Sequence, residues 1–237
     1  MYAHKFLLFT KKFPALLQNQ ILYLTLNNKV LLMKEQDIHA ELSSIRDLME
    51  RSAKFISLSG LSGVMAGIYA FAGAGIGYSL LQGEYTTLRE GHTYNEELLI
   101  IKLFIVAIAV LVLSIGTGIW LSVRKAKRNG QPFWSAGSKR LLINMAIPLV
   151  SGGLFTIILV YRGYYGVVAP ATLIFYGMSL VAGSHYTYSG IRSLGILEIL
   201  LGLLCAVMPD YGLIFWSVGF GLLHIIYGTV MHFRYDK

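Results

Sequence analysis

Six long apolar stretches dominate this sequence, and they leave few folds open to it. Each is close to the ~20 residues that an α-helix needs to cross a hydrocarbon layer about 30 Å thick. Because lipid offers no hydrogen bonds to the backbone, a spanning segment must satisfy its own, as a helix does. The sequence therefore predicts an all-α fold, a six-helix transmembrane bundle. The predicted spans are residues 55–81, 98–123, 141–160, 167–183, 191–208 and 211–231.

The composition agrees with a membrane protein and argues against a nucleic-acid partner. Hydrophobic residues make up 55% of the 237-residue chain and charged residues 14%, with a mean hydropathy of +0.61. A soluble domain carries about 25% charged residues. The net charge of +8 comes from basic residues at the ends of the apolar runs, which favours the lipid bilayer and its anionic head groups. The single cysteine, Cys205, excludes an internal disulfide.

The first 33 residues do not fit the membrane pattern. Their apolar pieces are too short to span, and Lys11, Lys12 and Pro14 interrupt them. We expect a poorly ordered extension at residues 1–33. One explanation is that translation starts at Met33, immediately before a well-formed helical pattern. The other is a weakly ordered, membrane-associated segment.

Residues 34–54 predict a cytoplasmic amphipathic helix that continues into the first span. Apolar residues alternate spacings of four and three, which is typical of a coiled-coil seam. The seam then continues into the span with small residues, which allow close backbone approach in lipid. It predicts either a homo-oligomer or partner-helix contact, or packing within the protein's own bundle. The seam comprises Ile38, Leu42, Ile45, Met49, Ser52 and Ile56, followed by Gly60, Gly63, Gly67, Ala70, Ala74 and Gly77 within the span.

The connection at residues 124–140 orients the whole chain. It holds six basic residues and no acid, and such segments are typically cytoplasmic. Alternation then places both termini, including a short tail at residues 232–237, in the cytoplasm. The same residues could bind lipid head groups, or they could do no more than set the orientation. They are Arg124, Lys125, Lys127, Arg128, Lys139 and Arg140.

The last two predicted spans form a hairpin around a turn at residues 209–212, and they contain the main candidate site. Glu198 is the only carboxylate in any span, and His224 lies at nearly the same depth on the partner helix. Small or polar residues share a face with each of them, so we expect the two stripes to pack against each other. The stripes are Gly195, Glu198, Gly202 and Cys205 on one helix, and Ser217, Gly221, His224 and Gly228 on the other.

An ionisable residue within a membrane marks a candidate functional site. Glu198 and His224, with Cys205 and Ser217 nearby, could relay protons or bind a small cation. Alternatively the pair hydrogen-bonds only to fix the register of the hairpin, at about 0.6 kcal/mol for an average interhelical contact. His185 and His232 lack a third ligand at recognisable spacing, so no metal or other cofactor is predicted.

Several short runs resemble those of a family of uncharacterised bacterial six-span integral membrane proteins. They are Met49-Glu50-Arg51-Ser52, Ser57-Leu58-Ser59-Gly60-Leu61-Ser62-Gly63, and Gly212-Leu213 through Phe215-Trp216, Gly219-Phe220-Gly221, His224 and Tyr227-Gly228. The resemblance covers roughly residue 33 to the C-terminus. It implies six spans in a bacterial inner membrane and adds no mechanism, since the family has no assigned activity.

Two functions remain open. The first is a non-enzymatic association or regulatory protein that acts through the seam at residues 38–56 and the basic connection, because no catalytic constellation occurs in the sequence. The alternative is a small-solute or proton-coupled transporter that uses Glu198 and His224. An intramembrane lipid-modifying enzyme is a third class, for which the sequence offers no catalytic group.

Overall fold

The computed structural model describes residues 59–89, 96–130 and 132–235. Every regular element in these ranges is helical, as predicted. The long helices are α1 (Gly60–Arg89), α2 (Glu96–Arg128), α3 (Ala136–Tyr161), α4 (Val168–Gly183) and α5 (Gly190–Val207). The last part of the chain consists of α6 (Gly212–Trp216), a π-helix (Ser217–Leu223) and α7 (His224–Tyr235), which together form the sixth span. Short 3₁₀-helices occur at Tyr165–Val167, Ser184–Tyr186 and Pro209–Tyr211.

Six helical segments are long and apolar enough to cross a membrane, which confirms the predicted bundle. They are Gly60–Gly83, Glu97–Arg128, Ala136–Tyr161, Tyr165–Tyr186, Gly190–Val207 and Pro209–Tyr235. Large apolar side chains cover the outside of the bundle; Ile147 is 67% exposed and Val112 is 61% exposed. Soluble monomers rarely expose such large apolar areas. The protein is therefore a multi-pass membrane protein.

The helices pack in an order that puts the sixth span near the centre. Helix α2 contacts α1, which contacts the sixth span; the sixth span contacts α5 and α4, and α3 packs on the far side of α4. Gly60 at the start of α1 lies against the backbone of His232 near the end of α7. Lys125 near the end of α2 hydrogen-bonds to Tyr188, just before α5. These contacts gather four helix ends at one end of the bundle, called here the basic end.

Glycines line two of the tightest helix contacts, and the structure corrects the predicted pairing of their stripes. A Cβ on Gly67 would lie 2.6 Å from the carbonyl oxygen of Gly221, and one on Gly63 would lie 3.1 Å from the Cα of Gly228. Gly221 and Gly228 of the sixth span therefore pack against α1. The glycines of α5 pack against α4, since a Cβ on Gly195 would lie 2.7 Å from the carbonyl oxygen of Gly177.

The remaining predicted packing glycines behave differently from one another. A Cβ on Gly202 would meet Ile174 of α4 at 2.7 Å, so this glycine belongs to the α4–α5 contact. A Cβ on Gly77 would meet Leu103 and Leu213 at 3.5 and 3.6 Å, which is ordinary van der Waals contact. Close approach in lipid needs small residues on both helices. The stripes predict that α5 and the sixth span are tightly packed, but the matching small residues lie on α4 and α1.

The basic connection is shorter than predicted because both flanking helices extend into it. Helix α2 runs to Arg128 and α3 begins at Ala136, so all six of its basic residues are helical. Ser135 caps α3: its hydroxyl accepts the N–H of Ser138, and the Ser138 hydroxyl accepts the N–H of Ser135. Gly130 has a positive φ of 63°, which suits glycine in this turn.

The predicted N-terminal elements, residues 1–33 and 34–54 with Ile38, Leu42, Ile45 and Met49, lie outside the described residues. The predicted boundary between membrane domain and tail at residue 231 falls within a helix, since α7 continues to Tyr235.

Candidate functional site

Glu198 and His224 meet inside the bundle. Glu198 lies eight residues into α5, about 12 Å from its start, and His224 is the first residue of α7. Their side chains are 0% and 7% exposed, respectively. The His224 Nδ1 atom lies 3.5 Å from Glu198 Oε1. The geometry thus brings together the two side chains that the sequence singles out.

The π-helix before His224 shapes the site. It spans Ser217–Leu223, in the segment that connects the hairpin turn to His224. The His224 Nδ1 atom lies 3.0 Å from the carbonyl oxygen of Gly219, five residues earlier. A Cβ on Gly219 would lie 2.5 Å from Glu198 Oε2, so the absence of a side chain there makes room for the carboxyl group. Short π-helices occur frequently at functional sites.

Tyr176 of α4 is a third member of the site, and it was not predicted from the sequence. Its hydroxyl lies 2.7 Å from His224 Nε2. The Tyr176 ring centroid lies 5.3 Å from that of His224 and 4.9 Å from that of Phe220. A tyrosine in an apolar span is easily taken for an interfacial or packing residue. The one sequence feature that could have indicated its role is the position of a hydroxyl group well inside the fourth predicted span.

The hydrogen bonds of His224 define its tautomer. A carbonyl oxygen only accepts, so Nδ1 must carry the hydrogen that Gly219 receives. In a neutral imidazole Nε2 is then the acceptor, and the Tyr176 hydroxyl donates to it. If Nε2 gains a proton it becomes a donor, and the direction of that hydrogen bond must reverse. The Tyr176 contact therefore responds to the protonation of His224.

The carboxyl group of Glu198 is fully buried. Among the residues that the structure describes, neither carboxyl oxygen has a hydrogen-bond partner. The space beside the carboxyl group is bounded by Gly219 and by apolar side chains, including Leu173, which is itself fully buried. A buried, unpaired carboxylate costs several kcal/mol or more. A proton or a small cation would lower that cost.

The other two candidate residues do not join this cluster. Ser217 is partly exposed and its hydroxyl donates to the carbonyl of Ile214, 2.8 Å away on the same helix. Cys205 is a fully buried free thiol two helical turns beyond Glu198 on α5. Within the described part of the chain, no group of three or more His, Cys, Asp or Glu side chains could hold a metal ion.

The predicted head-group residues are all at the basic end. Arg124, Lys125, Lys127 and Arg128 lie in the last turns of α2, and Lys139 and Arg140 lie in the first turns of α3. Arg124 stacks on Trp120, with its guanidinium carbon 5.8 Å from the ring centroid.

Comparison with known proteins adds no family to these observations. No family model, no curated protein and no solved structure matches the chain significantly. The resemblance to bacterial six-span membrane proteins stays a prediction from the sequence, and the function has to be argued from the site itself.

Proposed function

We propose that this membrane protein is a proton carrier that binds and releases a proton at Glu198, His224 and Tyr176. The observation that supports it best is the fully buried carboxyl group of Glu198, which has no hydrogen-bond partner among the described residues and lies 3.5 Å from an imidazole nitrogen. Ionisable groups inside a membrane commonly belong to proton relays or ion pathways.

The geometry supports proton exchange between the two side chains. The imidazole already has a donor at Nδ1, which now points to the Gly219 carbonyl and lies 3.5 Å from the carboxyl oxygen. A small rotation of Glu198 would bring this distance into hydrogen-bonding range, about 2.7–3.2 Å. Tyr176 holds the opposite nitrogen, so the ring keeps its orientation while protons move. The three side chains come from α4, α5 and α7, so helix movement would change their contacts.

A purely structural role explains these contacts less well. If the pair only fixed the register of the hairpin, a direct hydrogen bond between Glu198 and His224 would be expected. Instead, His224 hydrogen-bonds to Gly219 and Tyr176. The carboxyl group of Glu198 has no hydrogen-bond partner among the described residues. An unsatisfied buried carboxyl group is costly to keep, which favours a role that uses it.

The test is proton uptake into proteoliposomes that contain an internal pH-sensitive dye, after an imposed pH gradient. We expect wild-type protein to acidify the interior faster than protein-free liposomes. Glu198→Gln and His224→Gln should both reduce the rate to that of protein-free liposomes. Glu97→Gln makes the same chemical change at an exposed position at the start of α2 and should leave the rate unchanged. Equal uptake by wild-type and Glu198→Gln protein would refute the proposal.

A second candidate function is association through the segment that precedes the first span. The supporting observation is the seam of Ile38, Leu42, Ile45 and Met49 in the sequence. The membrane half of that seam is not available for it, since Gly60, Gly63 and Gly67 pack against the sixth span. Cysteine crosslinking at Leu42 or Met49 in native membranes tests this function. Adducts would support it, and recovery of monomer alone would count against it.

A further inference from the structure

A cavity opens at the basic end of the bundle, between the start of α1 and the last turns of α2 and α7. Its volume is about 460 Å³, within the range of about 300–1,000 Å³ that is usual for small-molecule sites. Helix α2 contributes more of its lining residues than either of the other two helices. The cavity lies away from Glu198 and His224, so an inference about it does not depend on the proposed carrier function.

The polar part of the cavity is strongly basic. Arg124, Lys125 and Arg128 all line it, together with the Asn129 amide and His232. None of the described residues that line it is acidic. Three cations in one cavity repel one another, and the attraction of each to an anion bound among them would offset that repulsion. Arginine pairs favour phosphate because the guanidinium group donates two parallel hydrogen bonds.

Aromatic contacts hold two of these cations in place. The Lys125 ammonium lies 3.3 Å from the Tyr188 hydroxyl and 5.5 Å from its ring centroid. Tyr188 in turn stacks on Tyr235 of α7, with ring centroids 4.2 Å apart. Arg124 lies over Trp120, which is 60% exposed and is one turn closer to the bilayer centre. Side chains fixed in advance lose less entropy when a ligand binds.

The cavity wall changes from apolar to basic along α2. Leu121 lines the cavity one turn before Arg124, about 4.5 Å deeper in the membrane. Leu61, the second residue of α1, adds a second apolar side chain. A soluble anion would gain nothing from these leucines. A phospholipid has the same order of groups, with acyl chains towards the bilayer centre and the phosphate outside.

We propose that this cavity binds the head group of an anionic phospholipid, with its phosphate between Arg124, Lys125 and Arg128. Basic pockets between membrane helices are a known way of holding such head groups. The structure thereby divides the six predicted head-group residues into two sets. Arg124, Lys125 and Arg128 line the cavity, whereas Lys127, Lys139 and Arg140 do not.

This division provides a matched pair of variants. Arg124→Gln/Arg128→Gln removes two charges from the cavity, and Lys139→Gln/Arg140→Gln removes two from the start of α3. All four side chains are exposed, so neither variant should affect folding, which thermal unfolding in detergent will verify. Lipid binding is measured by native mass spectrometry of the purified protein titrated with phosphatidylglycerol, and separately with phosphatidylcholine.

We expect wild-type protein and the α3 variant to bind phosphatidylglycerol with equal affinity. The cavity variant should bind about 30-fold more weakly, from about 1 kcal/mol per basic residue. An equal loss of phosphatidylglycerol affinity in both variants would mean that the lipid responds to the overall surface charge and not to the cavity. That result would overturn the proposal. Equal affinity for phosphatidylcholine would also overturn it. Displacement of the lipid by millimolar inorganic phosphate would identify a soluble anion site instead.

Discussion

The contact between Gly228 and α1 allows a quantitative prediction about stability. In Gly228→Ala, the new Cβ would lie 2.5 Å from the backbone nitrogen of Val64 and 2.7 Å from the carbonyl oxygen of Gly60. Backbone atoms cannot rotate away, so the helices must separate. Ordinary contact begins at 3.4 Å, which requires a shift of about 0.9 Å. A gap of 0.5–1 Å already loses roughly a quarter to a half of the dispersion energy of neighbouring contacts.

Overpacking of this kind costs about 1–3 kcal/mol of stability. We expect Gly228→Ala to lower the free energy of unfolding by about 2–3 kcal/mol. The matched control is Gly75→Ala on α1, where the new Cβ would have no atom within 4 Å. That change should be neutral or stabilise by up to about 1 kcal/mol, because alanine favours the helix. The assay is equilibrium unfolding in mixed micelles with increasing SDS, followed by circular dichroism. Equal effects of the two substitutions would refute the argument.

Two further predictions concern Tyr176 and Cys205. Tyr176→Phe removes the hydroxyl beside His224. We expect the free energy of unfolding in SDS to fall by about 0.6–1.7 kcal/mol and proton uptake in proteoliposomes to slow. Unchanged uptake would contradict a role for Tyr176 in the proton exchange. Cys205 is 0% exposed and is the chain's single cysteine, so we expect a maleimide to label it only after SDS is added. The control is Lys127→Cys in a Cys205→Ala background, which should react at once because position 127 is exposed.

Much of the architecture could be predicted because the bilayer imposes it. Each span needs about 20 apolar residues in a helix, and that requirement is visible in a single sequence. The pairing of helices is less visible, since a stripe of small residues shows only that a helix packs closely. The stripe containing Gly195 faces Gly177 of α4, and the stripe containing Gly228 faces α1. Choosing between such partners requires three-dimensional information.

The candidate site shows the same limit on a smaller scale. Glu198 and His224 could be predicted because ionisable residues are costly in lipid and therefore rare there. The π-helix could not be predicted, because any analysis of residue spacing assumes a helical repeat of about 3.6 residues. A local turn with i→i+5 hydrogen bonds also leaves little trace in the amino-acid composition. The role of Tyr176 depends on how α4 is rotated against the sixth span. The roles of Gly219 and Tyr176 therefore emerge only from the structure.

Gly219 offers the sharpest test that links the packing to the proposed function. In Gly219→Ala the new Cβ would lie 2.5 Å from Glu198 Oε2 and 2.6 Å from Leu173 Cδ2. The carboxyl group must then leave its present position beside His224, so we expect proton uptake to fall towards the rate of protein-free liposomes. Alanine at this position leaves the Gly219 carbonyl in place, and so it preserves the acceptor of His224 Nδ1.

A second substitution distinguishes displacement of the Glu198 carboxyl group from a general loss of folding stability. Aspartate is one methylene shorter than glutamate, so Glu198→Asp should make space for the new Cβ. We expect Gly219→Ala/Glu198→Asp to be more stable in SDS unfolding than the sum of the single changes predicts, by about 0.5–3 kcal/mol, the range for coupled neighbours. Additive effects would mean that the carboxyl group of Glu198 and the backbone of Gly219 do not compete for the same space. The arrangement of the site around the π-helix would then be wrong, whatever the uptake assay showed.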